Sequence, residues 1–198
     1  LFQSVHHNNM ISRCGAGNGS LLAVLRMKYD TAFTYSLSLD GTGRHWTPLR
    51  TLEGIGCCRP RLLQLASGAL ILTGGRCTPI GPAENHLWID HAGDLAHWQR
   101  ISLSAQHNLL APPAMPRYSA AVNCTSRNGT RLARCSANET LGYTSLLATG
   151  NQTGVVVYNL NSQECGACAY SMRFTVGESK PTAANGHAEE TVVGHVST

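Results

Sequence analysis

Three groups of side chains in this 198-residue sequence are spaced closely enough to do chemistry. Asp40 stands in "YSLSLDGTGRHWTPL", Tyr35 to Leu49, a polar turn flanked by Gly41 and Gly43, and a carboxylate so placed is a candidate general acid or base. Cys165-Gly-Ala-Cys168 has the spacing of a zinc or redox pair. His86, His91 and His97 accompany a second carboxylate, Asp90. Two of the three lose ground at once. No second CxxC and no Cys/His pair at finger spacing accompanies Cys165 and Cys168, so a structural disulfide or a free pair is the better reading, and no metal or cofactor is assigned. His91 and His97 are not spaced for joint ligation on a strand and read as solvent-facing loop residues.

The elements around Asp40 decide its role. "LWIDHAGDLAHWQRI" repeats the order of the first stretch: an apolar run, Asp90, Gly93, a few polar residues and Trp98, as with Asp40, Gly43 and Trp46. Each copy follows a strand-like hairpin. "SLLAVLRMKYD" leads to "AFTYSLSLD", and "RPRLLQLASGALILTGGR" holds two apolar runs joined by Ala66-Ser67-Gly68 ahead of "NHLWID". A third unit, "GYTSLLATGNQTGVVVYNL" and then "AYSMRFTV", has the hairpin and outer strand without the box. A strand repeat of about 40–50 residues is the mark of a β-propeller blade, which cannot bury its faces alone. The chain is therefore expected to be all-β and to hold about three blades, fewer than a closed propeller needs, as the C-terminal part of a longer protein.

Composition narrows the partners. Charged residues make up 13% and hydrophobic residues 42%, with a net charge of +4, as in ordinary globular β proteins. The basic residues are scattered, not clustered with aromatics, which argues against nucleic acid. No apolar run reaches the ~20 residues of a membrane-spanning helix. Five Asn-x-Ser/Thr sequons, at Asn18, Asn123, Asn128, Asn138 and Asn151, fall in or beside expected turns. The even count of 8 cysteines is compatible with disulfides. Together they point to an extracellular, secretory or lysosomal compartment. Cys124 and Cys135, which bracket a loop containing Asn128, are the first pair to test.

The two boxes resemble the Asp-box, or BNR repeat, Ser-x-Asp-x-Gly-x-Thr-Trp, of sialidases and other propeller proteins. Ser38-Leu39-Asp40-Gly41-Thr42-Gly43-Arg44-His45-Trp46 is one residue longer than that pattern, and the copy at Asp90 is more degenerate. In the family the box is a structural turn, so the resemblance moves Asp40 and Asp90 from catalysis to scaffold. It places a nucleophile elsewhere. Tyr143-Thr144-Ser145-Leu146, a turn at Gly150-Asn151 and a strand from Val155 to Tyr158 are similar to the segment carrying the sialidase tyrosine. Sialidases also hold the substrate carboxylate with arginines, whose planar fork matches it in a two-pronged bond. "NGSLLAVLRMKYDTAFTYSLSLDG" puts Arg26 at one such position, and Arg117 in "PRYSAAVN" is the nearest candidate for another. Arg59 and Arg76 flank the middle hairpin as alternatives.

What the resemblance implies is a six-bladed sialidase-type propeller and an exo-α-sialidase-like glycoside hydrolase. Such an enzyme removes terminal sialic acid from glycoconjugates through a covalent tyrosine intermediate. This sequence departs from the family in two ways. "HNNMISRCGAG" has no carboxylate where the Glu that activates the tyrosine is expected, and Glu139 is not at a position to which the family gives that role. The acid/base Asp and a further arginine are expected in blades before residue 1. A non-catalytic Asp-box propeller that binds carbohydrate or protein is the alternative. Residues 1–176 are expected to form the blades, and 177–198, without apolar periodicity, a disordered tail.

Overall fold

The computed structural model describes residues 10–13, 19–26, 32–56, 58–75, 85–115, 143–162, 166–177 and 195–197. They form three four-stranded antiparallel sheets, each a meander in sequence order. The first sheet comprises β1 (Met10–Arg13), β2 (Leu21–Arg26), β3 (Phe33–Ser38) and β4 (Arg50–Leu52). The second comprises β5 (Cys58–Gln64), β6 (Leu70–Gly75), β7 (His86–Asp90) and β8 (Gln99–Ser102), followed by helix α1 (Leu103–Leu110). The third comprises β9 (Thr144–Ala148), β10 (Thr153–Ser162), β11 (Gly166–Thr175) and β12 (His195–Ser197). The fold is all-β, and among the described residues none of the sheets closes on itself.

The second sheet is buried on both faces. Side chains alternate across a strand, so Leu62, Leu70, Leu72 and Trp88 share one face and pack with Leu22, Val24, Phe33, Leu52 and Ile55 of the first sheet and its loop. Ile71, Leu87, Ile89 and Ile101 share the other and pack with Val156, Tyr158, Tyr170, Met172 and Phe174 of the third. This accounts for the apolar runs Leu70-Ile71-Leu72 in β6 and Leu87-Trp88-Ile89 in β7, strands in which every residue is buried. At about 1.5–3 kcal/mol for each large side chain removed from water, these two interfaces hold the sheets together. The third sheet keeps an outer face on which Leu147 is 65% and Val157 43% exposed.

Helix α1 and strand β12 were not anticipated. Helix α1 starts at Ser102, whose Oγ accepts from Ala105 N at 3.1 Å and so caps the first turn. It docks on the third sheet through the buried His107, with 3.0 Å between His107 Nδ1 and the Tyr158 hydroxyl and 4.5 Å between the His107 and Tyr170 ring centroids. Strand β12 arises from the segment read as a disordered tail: His195–Ser197 pairs with Ser171–Arg173 and supplies the fourth strand of its sheet. Backbone pairing along a strand edge needs few apolar side chains, which is why periodicity did not mark it. Residues 178–194 lie outside the described residues.

Candidate functional site

The ends of the sheets are chemically different. One end carries the β5–β6 and β9–β10 hairpins, joined by a bond from Ser67 N to Asn151 O at 3.0 Å. The opposite end carries the starts of β5 and β9, and there the Arg59 guanidinium lies 3.7 Å from the centroid of the Tyr143 ring. Strands β5 and β9 therefore run the same way, and both boxes lie at the hairpin end. By register Ser38 pairs with Leu21, at the turn between β1 and β2, and Asp90 with Leu70, at the turn between β5 and β6. The candidate chemistry lies at the far end from the boxes.

Tyr143 immediately precedes β9 and is 54% exposed. Its position is fixed from two sides. Its backbone N–H donates to Asn159 Oδ1 at 3.1 Å, and Asn159 O accepts from Asn85 Nδ2 at 2.7 Å. Asn85, itself buried ahead of β7, belongs to the second sheet, as does Arg59. The tyrosine thus sits over the seam between two sheets, tied to one by hydrogen bonds and to the other by a guanidinium on its ring, an attraction of about 0.5–2 kcal/mol. Arg59 has a left-handed backbone (φ 56°), unusual for a residue other than glycine, at the irregularity where the β5–β6 register shifts between Cys58 and Arg61.

The other expected residues divide. Arg26 ends β2 at the edge opposite its box, half-buried, on the face shared with Leu22 and Val24. Arg117, Arg76, Glu139, the cysteine pair Cys124 and Cys135, Cys165, and the sequons at Asn18, Asn123, Asn128 and Asn138 lie outside the described residues. Asn151 is exposed in the β9–β10 turn. Sequence reasoning ranked Arg59 behind Arg26 and Arg117 and did not single out Asn85 or Asn159. Among the described residues, no three His, Cys, Asp or Glu side chains gather in a way that could hold a metal ion.

The boxes prove to be aligned differently from their aspartates. In the first, Gly43 N donates to Ser38 Oγ at 3.0 Å, and Trp46 Nε1 donates to Gly43 O at 2.8 Å. In the second, Leu95 N donates to Asp90 Oδ2 at 2.6 Å, and Trp98 Nε1 donates to Leu95 O at 3.2 Å. Asp90 therefore corresponds to Ser38, Gly93 to Gly41 and Leu95 to Gly43, and Ala92 stands where the first box has Asp40. Positive φ angles repeat at the same places, 67° and 71° at Gly41 and Gly43, 70° and 69° at Gly93 and Leu95. Both aspartates serve the turn. Asp40 accepts from Thr42 N, Ser38 Oγ and Thr42 Oγ1, and these bonds, that of the Thr42 amide foremost, hold its carboxyl well below the usual range. Asp90 is fully buried, and its burial raises its pKa although Leu95 N and Gly93 N donate to it. His91 is half-buried with Nε2 3.3 Å from Gln99 Oε1, a departure from the solvent-facing position expected of it, whereas His97 is exposed as expected.

No protein-family model matches the chain, and a search of the curated proteins finds none significantly similar to it.

Proposed function

We propose that the three sheets are consecutive blades of a sialidase-type β-propeller, and that the end holding Tyr143 and Arg59 is a site for terminal sialic acid on glycoproteins or glycolipids. The observation that carries this reading is the arginine stacked on the exposed tyrosine, at the end of the sheets away from the boxes. A ketoside of this class carries a carboxylate beside the reacting carbon. A carboxylate nucleophile would be repelled by it, whereas a neutral phenol approaches without that cost and a guanidinium attracts it.

In the reaction the Tyr143 oxygen would bond to the anomeric carbon as the bond to the aglycone breaks. The phenolic proton would pass to a base and the aglycone oxygen would take a proton from an acid, and water would then release the sugar by the reverse route. Among the described residues the groups bonded to or stacked on Tyr143 are Asn159 and Arg59, and neither is a carboxylate. A general base and a general acid are each worth about 100-fold or more, so Tyr143 with only Asn159 and Arg59 acting on it is expected to turn over slowly. The test is hydrolysis of a fluorogenic sialoside by the chain and by Tyr143→Phe. Loss of the residual turnover in the variant, on the order of 10³-fold, supports the nucleophile; equal rates in the two contradict it.

The same observation favours a second reading, a carbohydrate-binding propeller module, because Arg59 and Asn159 bind and orient but do not transfer protons at neutral pH. Binding of sialosides with no turnover, unchanged in Tyr143→Phe, would select it. Asn151, exposed in its turn, would be glycosylated in the secretory or extracellular compartment that either reading implies.

A further inference from the structure

The two boxes close the same turn, and the first carries side chains that the turn does not need. With Asp90 standing for Ser38, the places of Leu39, Asp40 and Thr47 are held in the second box by His91, Ala92 and Gln99. Ala92 shows that the turn closes without a carboxylate at the position of Asp40. His91 Nε2 lies 3.3 Å from Gln99 Oε1, so a polar contact spans the second box where the first has Leu39 and Thr47. Trp98 is half-buried and packs on the core between the first two sheets, whereas Trp46 is 36% and Leu39 61% exposed. The first box is open where the second is bridged. Leu37, Leu39, Asp40, His45, Trp46 and Thr47 line the opening, a cleft of about 290 Å³. Ligand sites run upward from about 300 Å³, so this one has room for a single ring.

We propose that the cleft of the first box binds one neutral pyranose ring, its C–H face against Trp46 and Leu39 and one of its hydroxyls donating to Asp40 Oδ2. A pyranose has an apolar face and an edge of hydroxyl donors, which an exposed indole beside a carboxylate complements. Asp40 Oδ1 is taken by Ser38 Oγ, Thr42 N and Thr42 Oγ1, but Oδ2 shares only the Thr42 hydroxyl and the His45 ring, whose Nδ1 stands off at 3.4 Å. A ligand hydroxyl takes the place of that loosest contact. Trp46 Nε1 is fixed on Gly43 O at 2.8 Å, so the ring is oriented before a ligand arrives, which lowers the ordering cost of binding. An anionic ligand would be repelled by Asp40, and the exposed Arg44 and Arg50, which flank the cleft residues in the chain, disfavour a cation. The site lies at the hairpin end, away from Tyr143 and Arg59, and does not rest on the sialic-acid reading.

The test follows the indole N–H resonances of the 3 tryptophans by NMR at neutral pH, with Trp46 assigned through Trp46→Phe. The chain is titrated with methyl β-D-galactopyranoside, methyl α-D-mannopyranoside and n-butylammonium. At least one glycoside is expected to shift the Trp46 resonance saturably, with half-saturation on the order of 1–10 mM for so small a contact, and to leave Trp88 and Trp98 in place. Asp40→Ala, which copies the second box, should weaken binding about tenfold by removing the charge-assisted bond. The double variant Leu39→His with Thr47→Gln installs the bridge of the second box and should abolish the shift. Thermal midpoints establish that each variant is folded at the temperature of the titration. No saturable shift with either glycoside overturns the site, and so does unchanged binding in a folded variant of either kind. A Trp46 shift that n-butylammonium produces at lower concentration than the glycosides overturns the neutral ring in favour of a basic side chain.

Discussion

Asp90 stands in the second box where Ser38 stands in the first: each accepts a backbone N–H from the residue five positions on, Leu95 in one case and Gly43 in the other. The serine does this with one neutral oxygen. The aspartate does it with a carboxylate that also takes Gly93 N, and this carboxylate is fully buried.

The exchange sets opposite pH responses in the two boxes. Burial raises the Asp90 pKa above its unfolded value, so its contribution is largest at acid pH and declines as pH rises from about 4 through the raised folded value. Asp40 is shifted down, so its contribution is present above pH 4 and is lost as pH falls below that. Asp90→Ser should keep the Leu95 bond and cost about 1 kcal/mol, whereas Asp90→Leu, which orphans two amides, should cost about 2–4 kcal/mol. Urea denaturation at a series of pH values checks both, and Asp40→Asn should remove the loss on the acid side.

The left-handed positions of the turns have unequal tolerance. A Cβ at Gly41 would run into Gly19 O and one at Gly93 into Gly68 O, both from left-handed backbones. Gly41→Ala and Gly93→Ala should each destabilise by about 2 kcal/mol or more. Leu95 has the same left-handed backbone as Gly43 but packs on the core between the first two sheets. Leu95→Gly should change stability by less than about 1 kcal/mol, relief of backbone strain offsetting lost packing. Thermal or urea unfolding of the three variants separates these outcomes.

His86 provides a third pH response. Buried and stacked on Trp88 with ring centroids 5.5 Å apart, it is held neutral down to about pH 4, first by burial and then by the charge of Arg100. The unfolded chain takes up a proton near pH 6.5, so stability is full above that pH and falls between 6.5 and 4, by up to about 3 kcal/mol. His86→Phe, which keeps a ring on Trp88, should flatten this part of the profile. An unchanged slope in the variant would assign the titration to another group.

The strands, hairpins and boxes were legible because they rest on local signals: apolar runs, Gly-bearing turns and the repeated Trp. The alignment of the boxes was not, because the two aspartates look equivalent in sequence while the hydrogen bonds follow the spacing to Trp46 and Trp98. The site was legible in part. Tyr143 came from a resemblance, but its partners depend on register. A two-residue turn at Gly150-Asn151 would set Tyr143 opposite Tyr158, whereas Ala148 pairs with Gly154 and the longer loop sets it opposite Asn159. Arg59 comes from a different sheet, and the packing of one sheet on another has no local signature to read.

The central proposal is that Tyr143 attacks the anomeric carbon of sialic acid. A 2,3-difluorinated sialosyl fluoride tests it most directly, since its fluoride leaves without help from a general acid and its 3-fluoro group slows release of the sugar. Intact mass and peptide mapping after incubation should show one glycosyl adduct per chain, located on Tyr143 and absent from Tyr143→Phe. No adduct on the chain, or an adduct that persists in the variant, would contradict the claim.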